Sequence, residues 1–363
     1  HLPNLKRLIV NSEQHLTLLK LEGLQKQFTI QNPEKLKIEQ LVIACDVNKQ
    51  QLQQLLDNAS LKSLIVERDQ AADFNIQNVQ VEEVELKCSV NANMMKKIQQ
   101  FPNLQRIFVQ CQKFLLNCPI QGKFLQQMLN CEEMKNLVVE CDQTVDFNYK
   151  QVQIEEVDLK CSVNANMLQK MMHFPNLQRL VVNSEQHLTL LKLEGQQKQF
   201  MIQNPEKLKI EQLVIACDVN QQLLQQLFDN SSLKSFIVER DQAADFNIQN
   251  VKVEEVELKC QINSNMLIKI MHFQNLKKLK FNVNQKLQTL KLEGQQKQFT
   301  IKNPEKLQIQ NLTISTKISP ILLQQLLTIS CQQILSIFQN QQIDFSLQNS
   351  KIQHLQLNCQ LNQ

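Results

Sequence analysis

Cysteine is the residue type with the most chemistry to offer in this chain, which carries eleven of them. Eight, namely Cys45, Cys88, Cys111, Cys141, Cys161, Cys217, Cys260 and Cys359, recur two residues beyond a Leu/Val/Ile-rich run. A zinc site wants paired Cys or His at short spacing, and Cys111 with Cys118, or Cys131 with Cys141, stand too far apart for a C-x-x-C knuckle. Strand alternation puts the eight beside core Leu and Val, so they are expected to be buried, reduced thiols of a reducing, cytoplasmic compartment. The six histidines, His1, His15, His173, His187, His272 and His354, fall mostly at duplicated positions and outside any Cys/His or Ser/His/Asp signature. The four glycines cannot build a phosphate-cradling loop, since Gly23, Gly195 and Gly294 are one turn repeated. A catalytic constellation is asymmetric, whereas a copied cassette reproduces each local environment. No catalytic, cofactor or metal site is therefore expected, and no enzymatic activity.

The elements that must position these residues are repeats. Residues 4 to 48 recur at 176 to 220 with differences only at Lys6/Gln178, Ile9/Val181, Leu24/Gln196 and Thr29/Met201. A shift of 73 maps VEEVELKCSVNANM at 81 onto IEEVDLKCSVNANM at 154, and one of 99 maps PNLQR at 175 onto QNLKK at 274. Within these blocks an apolar-x-x-apolar-x-apolar pattern starts at Leu5, Ile38, Leu61, Val81, Leu104, Met134, Ile154, Leu177, Ile210, Leu233, Val253, Leu276, Ile309, Ile334 and Ile352, which predicts fifteen strands. A helical period follows the clearest of them, as at Asn164 to Met172, where Asn can cap the helix start and Pro175 forbids continuation.

Short strands returning through helices to parallel strands resemble the leucine-rich repeat, with LQRLVV at 177 to 182 and VEEVELKC at 81 to 88 as its core. The resemblance covers nearly the whole chain. It implies an α/β fold, a curved leucine-rich-repeat solenoid spanning 1 to 363 in about fifteen units, with a parallel sheet on the concave face and helices and irregular segments on the convex face. The family's usual Asn or Cys stands three residues after the third apolar position; here Cys stands two after it, so the standard ladder is not assumed. Spacings of 33 residues, as from Leu5 to Ile38, exceed the usual range, and their LTLLKLEG segments are expected to form extra structure on the convex side.

In such a fold the informative face is made by strand residues pointing away from the core. Its fifth motif position reads Ile9, Val42, Ile65, Glu85, Phe108, Val138, Asp158, Val181, Val214, Ile237, Glu257, Lys280 and Thr313, an apolar ridge interrupted by charge. Acidic rows at Glu82/Glu83/Glu85, Glu155/Glu156/Asp158 and Glu254/Glu255/Glu257 are each followed one repeat later by Arg106, Arg179 and Lys277/Lys278/Lys280. These pairs suit cross-strand ladders or stripes that orient a partner. The expected role is a non-enzymatic scaffold that binds a protein through the concave face at Ile9, Val42, Ile65, Arg106, Phe108, Val138, Arg179, Val181, Val214, Ile237, Lys277, Lys278 and Lys280. A structural subunit of a large multiprotein assembly is the alternative, and the recognition arm of a ubiquitin-ligase-type complex a weaker one.

Composition bounds the rest. Apolar residues make up 42% of the chain, enough for a long core, while Gln and Asn dominate the polar complement. That amide excess reads as a compositional bias on solvated faces. A net charge of +4 without basic runs or interleaved aromatics disfavours nucleic acid. No stretch reaches eighteen apolar residues and the first five residues carry no signal pattern, so neither membrane insertion nor secretion is expected. The chain starts and stops inside repeats and is expected to be part of a longer protein.

Overall fold

The computed structural model describes residues 7–23, 25–26, 29–70, 74–144, 146–195, 198–242, 246–247, 251–294, 297–329, 334–338 and 354–358. The chain is a mixed α/β protein whose strand pairs are parallel, divided into two compact units, His1–Ser184 and Glu185–Gln363. In the N-terminal unit one sheet runs Gln14–Leu21, Leu36–Ile43, Ser63–Val66, Glu83–Leu86, Arg106–Val109, and a second contains Lys113–Leu116, Asn136–Val139, Glu156–Leu159, Arg179–Val182. In the C-terminal unit the order is Gln186–Leu193, Leu208–Ile215, Ser235–Val238, Glu255–Leu258, Lys278–Phe281, Thr300–Lys302, and separately Gln285–Leu292, Leu307–Ile314, Ile334–Phe338, His354–Asn358.

The strands form where alternation demands it: Val157 and Leu159 are fully buried, while Glu156 and Asp158 between them face outward. Seven helices occur among the described residues, α1 (Lys49–Leu56), α2 (Ala92–Ile98), α3 (Gly122–Leu129), α4 (Ala165–Met171), α5 (Gln221–Phe228), α6 (Ser264–Met271) and α7 (Pro320–Leu327). Each buries a Leu/Met/Ile/Phe stripe against the strands, such as Met167, Leu168 and Met171 in α4. The expected asparagine caps are in place: Asn91, Asn164 and Asn263 each accept the main-chain N–H three residues on. None of these helices is long and apolar enough to cross a membrane.

Among the described residues each of the fifteen expected strands overlaps or adjoins an observed strand, the starting residues Leu5 and Ile352 lying outside the described residues, and nine further strands went unanticipated, of which the most consequential are Gln14–Leu21, Gln186–Leu193 and Gln285–Leu292. LTLLKL is therefore not an extra on the convex side. It obeys the repeat pattern itself, and in the C-terminal unit Leu188, Leu191 and Leu193 pair with Ile210, Leu213 and Ile215. Successive partners such as Leu213 with Phe236, and Phe236 with Val256, advance by 20 to 23 residues throughout. The 33-residue spacing is thus an ordinary turn whose strand has been lengthened. A second correction concerns Ile334. It stands opposite Asn311 and is exposed, while Leu335 and Ile337 fill the core positions opposite Leu312 and Ile314.

Several glutamines, a residue type expected on solvated faces, instead bridge neighbouring turns. Gln70, Gln143, Gln242 and Gln285 are buried. Their Oε1 atoms accept the N–H groups of Val47, Ile120, Val219 and Ile262 at 2.8–3.2 Å, and their Nε2 atoms donate to the carbonyls of Cys45, Cys118, Cys217 and Cys260 at 2.7–3.0 Å. An amide side chain carries one donor face and one acceptor, so it satisfies both groups of an otherwise orphaned peptide stretch. Other glutamines close strand edges. Gln226 and Gln325 bond both the N–H and the carbonyl of Ile202 and Ile301, and Gln127 takes the N–H of Ile107. On the helical side a repeated Asp-Phe-Asn motif adds a third contact: the rings of Phe74, Phe147 and Phe246 lie 6.1–6.3 Å from Phe101, Phe174 and Phe273. Lys97, Lys170 and Lys269 sit 5.0–5.3 Å above the first three rings.

Candidate functional site: the outward sheet faces

The outward faces are built from two rows per sheet. In the N-terminal unit Leu18, Gln40, Ser63, Glu83 and Arg106 stand in one register row and Lys20, Val42, Ile65, Glu85 and Phe108 in the next. Its second sheet aligns Leu115, Val138, Asp158 and Val181. In the C-terminal unit the corresponding rows are Leu190, Gln212, Ser235, Glu255, Lys278, Thr300 and Lys192, Val214, Ile237, Glu257, Lys280, Lys302. Ile9 lies on Arg7–Ile9, which pairs with Thr29–Gln31.

The expected apolar ridge is mostly not a surface. Val42 and Val214 keep only 5% and 6% of their area exposed, Ile65 and Val138 are equally buried, and Val181 and Ile237 are half-buried. At Val42 and Val214 the cover comes from a pair of long cations. Lys20 reaches Glu67 at 3.2 Å, and Lys192 reaches Glu239 at 3.6 Å. Each glutamate follows a strand two positions away in the sheet, so each lysine stem must cross the intervening Val42 or Val214 and cover it with methylene groups. Lys87 and Lys259 approach the same glutamates from the other side at 3.5 and 3.0 Å. Among the described strand residues, apolar area that remains open belongs to Ile9, Leu18, Phe108, Leu190, Met201 and Ile334, each more than two-fifths exposed.

The charges are likewise engaged. Arg106 and Arg179 are paired with Glu83 and Glu156 on the preceding strand. Lys277, Lys278 and Lys280 meet Glu254, Glu255 and Glu257 at 2.8, 3.4 and 2.9 Å. Each pair is solvent-accessible and worth a few tenths to about 1 kcal/mol, so these five residues are first of all rungs of cross-strand ladders. On this face the Lys280 hydrogen bond, aided by Asn282, holds the Glu257 pKa below the ordinary glutamate range. Glu239 is lowered in the same way by Lys259. A carboxylate depressed on folding contributes stability that is complete above its unfolded pKa and lost as the pH falls through the folded value. The C-terminal unit is therefore expected to lose stability on acidification below about pH 4.3, the unperturbed glutamate value. Denaturant melts of Glu257→Gln should show a shallower loss over that window than wild type. An unchanged acid slope would contradict the pairing.

Phe108 stands apart. It is 43% exposed on Arg106–Val109, with the Arg106 guanidinium 5.8 Å from its ring. That strand ends its sheet, and its far edge is closed by α3 through Gln127. The arrangement is a rigid aromatic-plus-cation patch on a paired strand.

The thiols do not add reactivity. None of the nine described cysteines is in a disulfide, but only Cys45, Cys118 and Cys217 are buried; Cys88, Cys111, Cys131, Cys141, Cys161 and Cys260 are half-buried just past strand or helix ends, and Cys359 lies outside the described residues. Burial pushes the Cys88, Cys118 and Cys260 thiols up to about 11 and Cys111 to about 12. At neutral pH these groups are therefore protonated and poor nucleophiles. No cluster of three or more His, Cys, Asp or Glu among the described residues could hold a metal ion. Sequence reasoning missed the bridging glutamines and the lysine stems over Val42 and Val214; recurrence of Gln70, Gln143, Gln242 and Gln285 next to an acidic or polar residue in each cassette was the available signal. Compared with known proteins, the chain matches no family model and no curated protein.

Proposed function

We propose that the chain is a leucine-rich-repeat-type solenoid that acts as a non-enzymatic protein-binding scaffold through its outward sheet faces. The observation that carries this reading is the Phe108–Arg106 patch. A large aromatic side chain, nearly half exposed, is held on a hydrogen-bonded strand among charges that are already neutralised within the protein. Exposed aromatic and arginine side chains on rigid elements are the usual energetic anchors of protein interfaces. Leu18 and Leu190 extend the same chemistry to the equivalent place in each unit. Duplication supports the reading too, because it multiplies a surface more readily than it assembles an asymmetric catalytic centre.

The test is recovery of native partners with the full chain. Phe108→Ala is expected to lower recovery by about tenfold or more, the effect of losing an interface anchor. Its melting curve should stay close to wild type, since the ring is not part of the core. Undiminished recovery with Phe108→Ala would remove the basis of the proposal.

A further inference from the structure

We propose that the outward face at the Lys278–Phe281 and Thr300–Lys302 end of the C-terminal unit's sheet docks an acidic segment of a protein partner, held by Lys278, Lys280 and Lys302. The proposal rests on the protein-binding reading above and gives it a partner chemistry.

Three copies of one cassette can be compared, at 4 to 40, 176 to 212 and 275 to 311. The first two are nearly identical. The third departs in one chemical direction: Gln178, Val181, His187 and Gln203 of the second copy become Lys277, Lys280, Lys286 and Lys302, and Glu185 and Glu211 become Asn284 and Gln310. Against these six changes toward positive charge only one lysine is lost, Lys209 becoming Gln308. Packing does not require the change, since Val181 and Gln203 occupy the same strand positions in the second copy.

The register then sets two of the new lysines against each other. Lys280 lies directly opposite Lys302 on adjacent parallel strands. Like charges so placed are destabilising unless something negative joins them. Within the protein nothing does so for both: Glu257 holds Lys280 at 2.9 Å from the opposite side, and exposed Lys302 has no ion-pair partner among the described residues. A carboxylate from outside, seated between Lys280 and Lys302, resolves the conflict.

The chemistry of the ligand follows from what surrounds these lysines. Glu254, Glu255 and Glu257 share the face, so a continuous phosphate backbone laid across it would meet carboxylates, whereas separate Asp or Glu side chains of a peptide can interleave with them. The neighbouring aromatics Phe281 and Phe299 are buried and offer no base a stacking surface. Strand addition is closed as well, because Gln325 occupies both main-chain groups of Ile301 at that edge. Recognition must therefore run through side-chain charge.

The experiment uses the full chain and a fluorescein-labelled peptide of alternating Glu and Thr, about twelve residues long, read by anisotropy beside its Gln-for-Glu counterpart and an oligothymidylate of equal charge. Lys280→Val with Lys302→Gln restores residues of the second copy and so should fold. It is expected to raise the Kd of the acidic peptide by about tenfold or more, with Lys302→Gln alone giving part of that shift. The charge-matched pair Lys62→Gln and Lys150→Gln should leave it nearly unchanged. Absent peptide binding, equal weakening by the control pair, or tighter binding of the oligonucleotide would each overturn the proposal. Should it fail while partner recovery remains sensitive to Phe108→Ala, only the acidic-partner assignment falls; insensitivity of both would remove the protein-binding reading with it.

Discussion

Replacing Gln51 by leucine is expected to raise stability by about 2–4 kcal/mol, an unusually large gain for one substitution. Gln51 is in the first turn of α1, and its side chain is 2% exposed with neither Nε2 nor Oε1 bonded to anything. Burying an amide without partners costs about 1–3 kcal/mol for each orphaned group, set against the small apolar return of its methylenes. The equivalent residue is Leu223 in α5, buried with no exposed area. Leucine therefore fits the site as the protein already builds it elsewhere, removing the desolvation penalty and adding apolar burial. The check is denaturant unfolding followed by hydrogen exchange across α1, because repeat stabilities are local and a global melt can dilute the effect. A destabilised Gln51→Leu would mean that the buried amide has partners after all.

The same substitution should have the opposite sign at Gln285. Here the residue is 1% exposed and its amide is bonded at both ends, accepting from Ile262 at 3.2 Å and donating to Cys260 at 2.7 Å. Leucine fills most of the volume but leaves a buried N–H and a part-buried carbonyl unpaired, at a cost of about 2–4 kcal/mol. Alanine adds a cavity and should cost about 3–5 kcal/mol. If these glutamines were mere space-fillers, Gln285→Leu would be neutral or stabilising, as at position 51. Comparing the two leucine variants in one denaturation series thus separates hydrogen bonding from packing, and equal signs would sink the bridging role.

How much of this was legible in the sequence depends on the range of the interaction. Parallel strands, asparagine caps and charge ladders follow from local spacing, and all three are present: Asn164 caps α4, and Glu156 meets Arg179 one turn later. LTLLKL carried the same signal, Leu16-x-x-Leu19-x-Leu21, yet the 33-residue spacing exceeds the usual repeat range, which suggested extra convex-side structure rather than a lengthened strand. Burial of Val42 and Val214 was not legible, since it depends on a lysine reaching two strands across the sheet. Gln70 and Gln285 were misjudged for a related reason. An amide is polar by composition, and only the neighbouring turn supplies the main-chain groups that justify burying it. On the candidate face, charge pairing was foreseen as one of two possibilities, whereas the isolation of Lys302 beside Lys280 emerges only from register.

Side-chain amides, in addition to backbone ladders, lock turns to their neighbours at Gln70, Gln143, Gln242 and Gln285. Residue-resolved hydrogen exchange at Ile120, Val219 and Ile262 tests this most directly, because these amides lie between strand and helix and their acceptors are Gln143, Gln242 and Gln285. The expected result is exchange as slow as that of the strand amides of Val84 and Val157, with protection at Ile262 lost selectively in Gln285→Leu. Exchange at those three positions as fast as in exposed loops would show that the glutamine bridges do not hold the turns together.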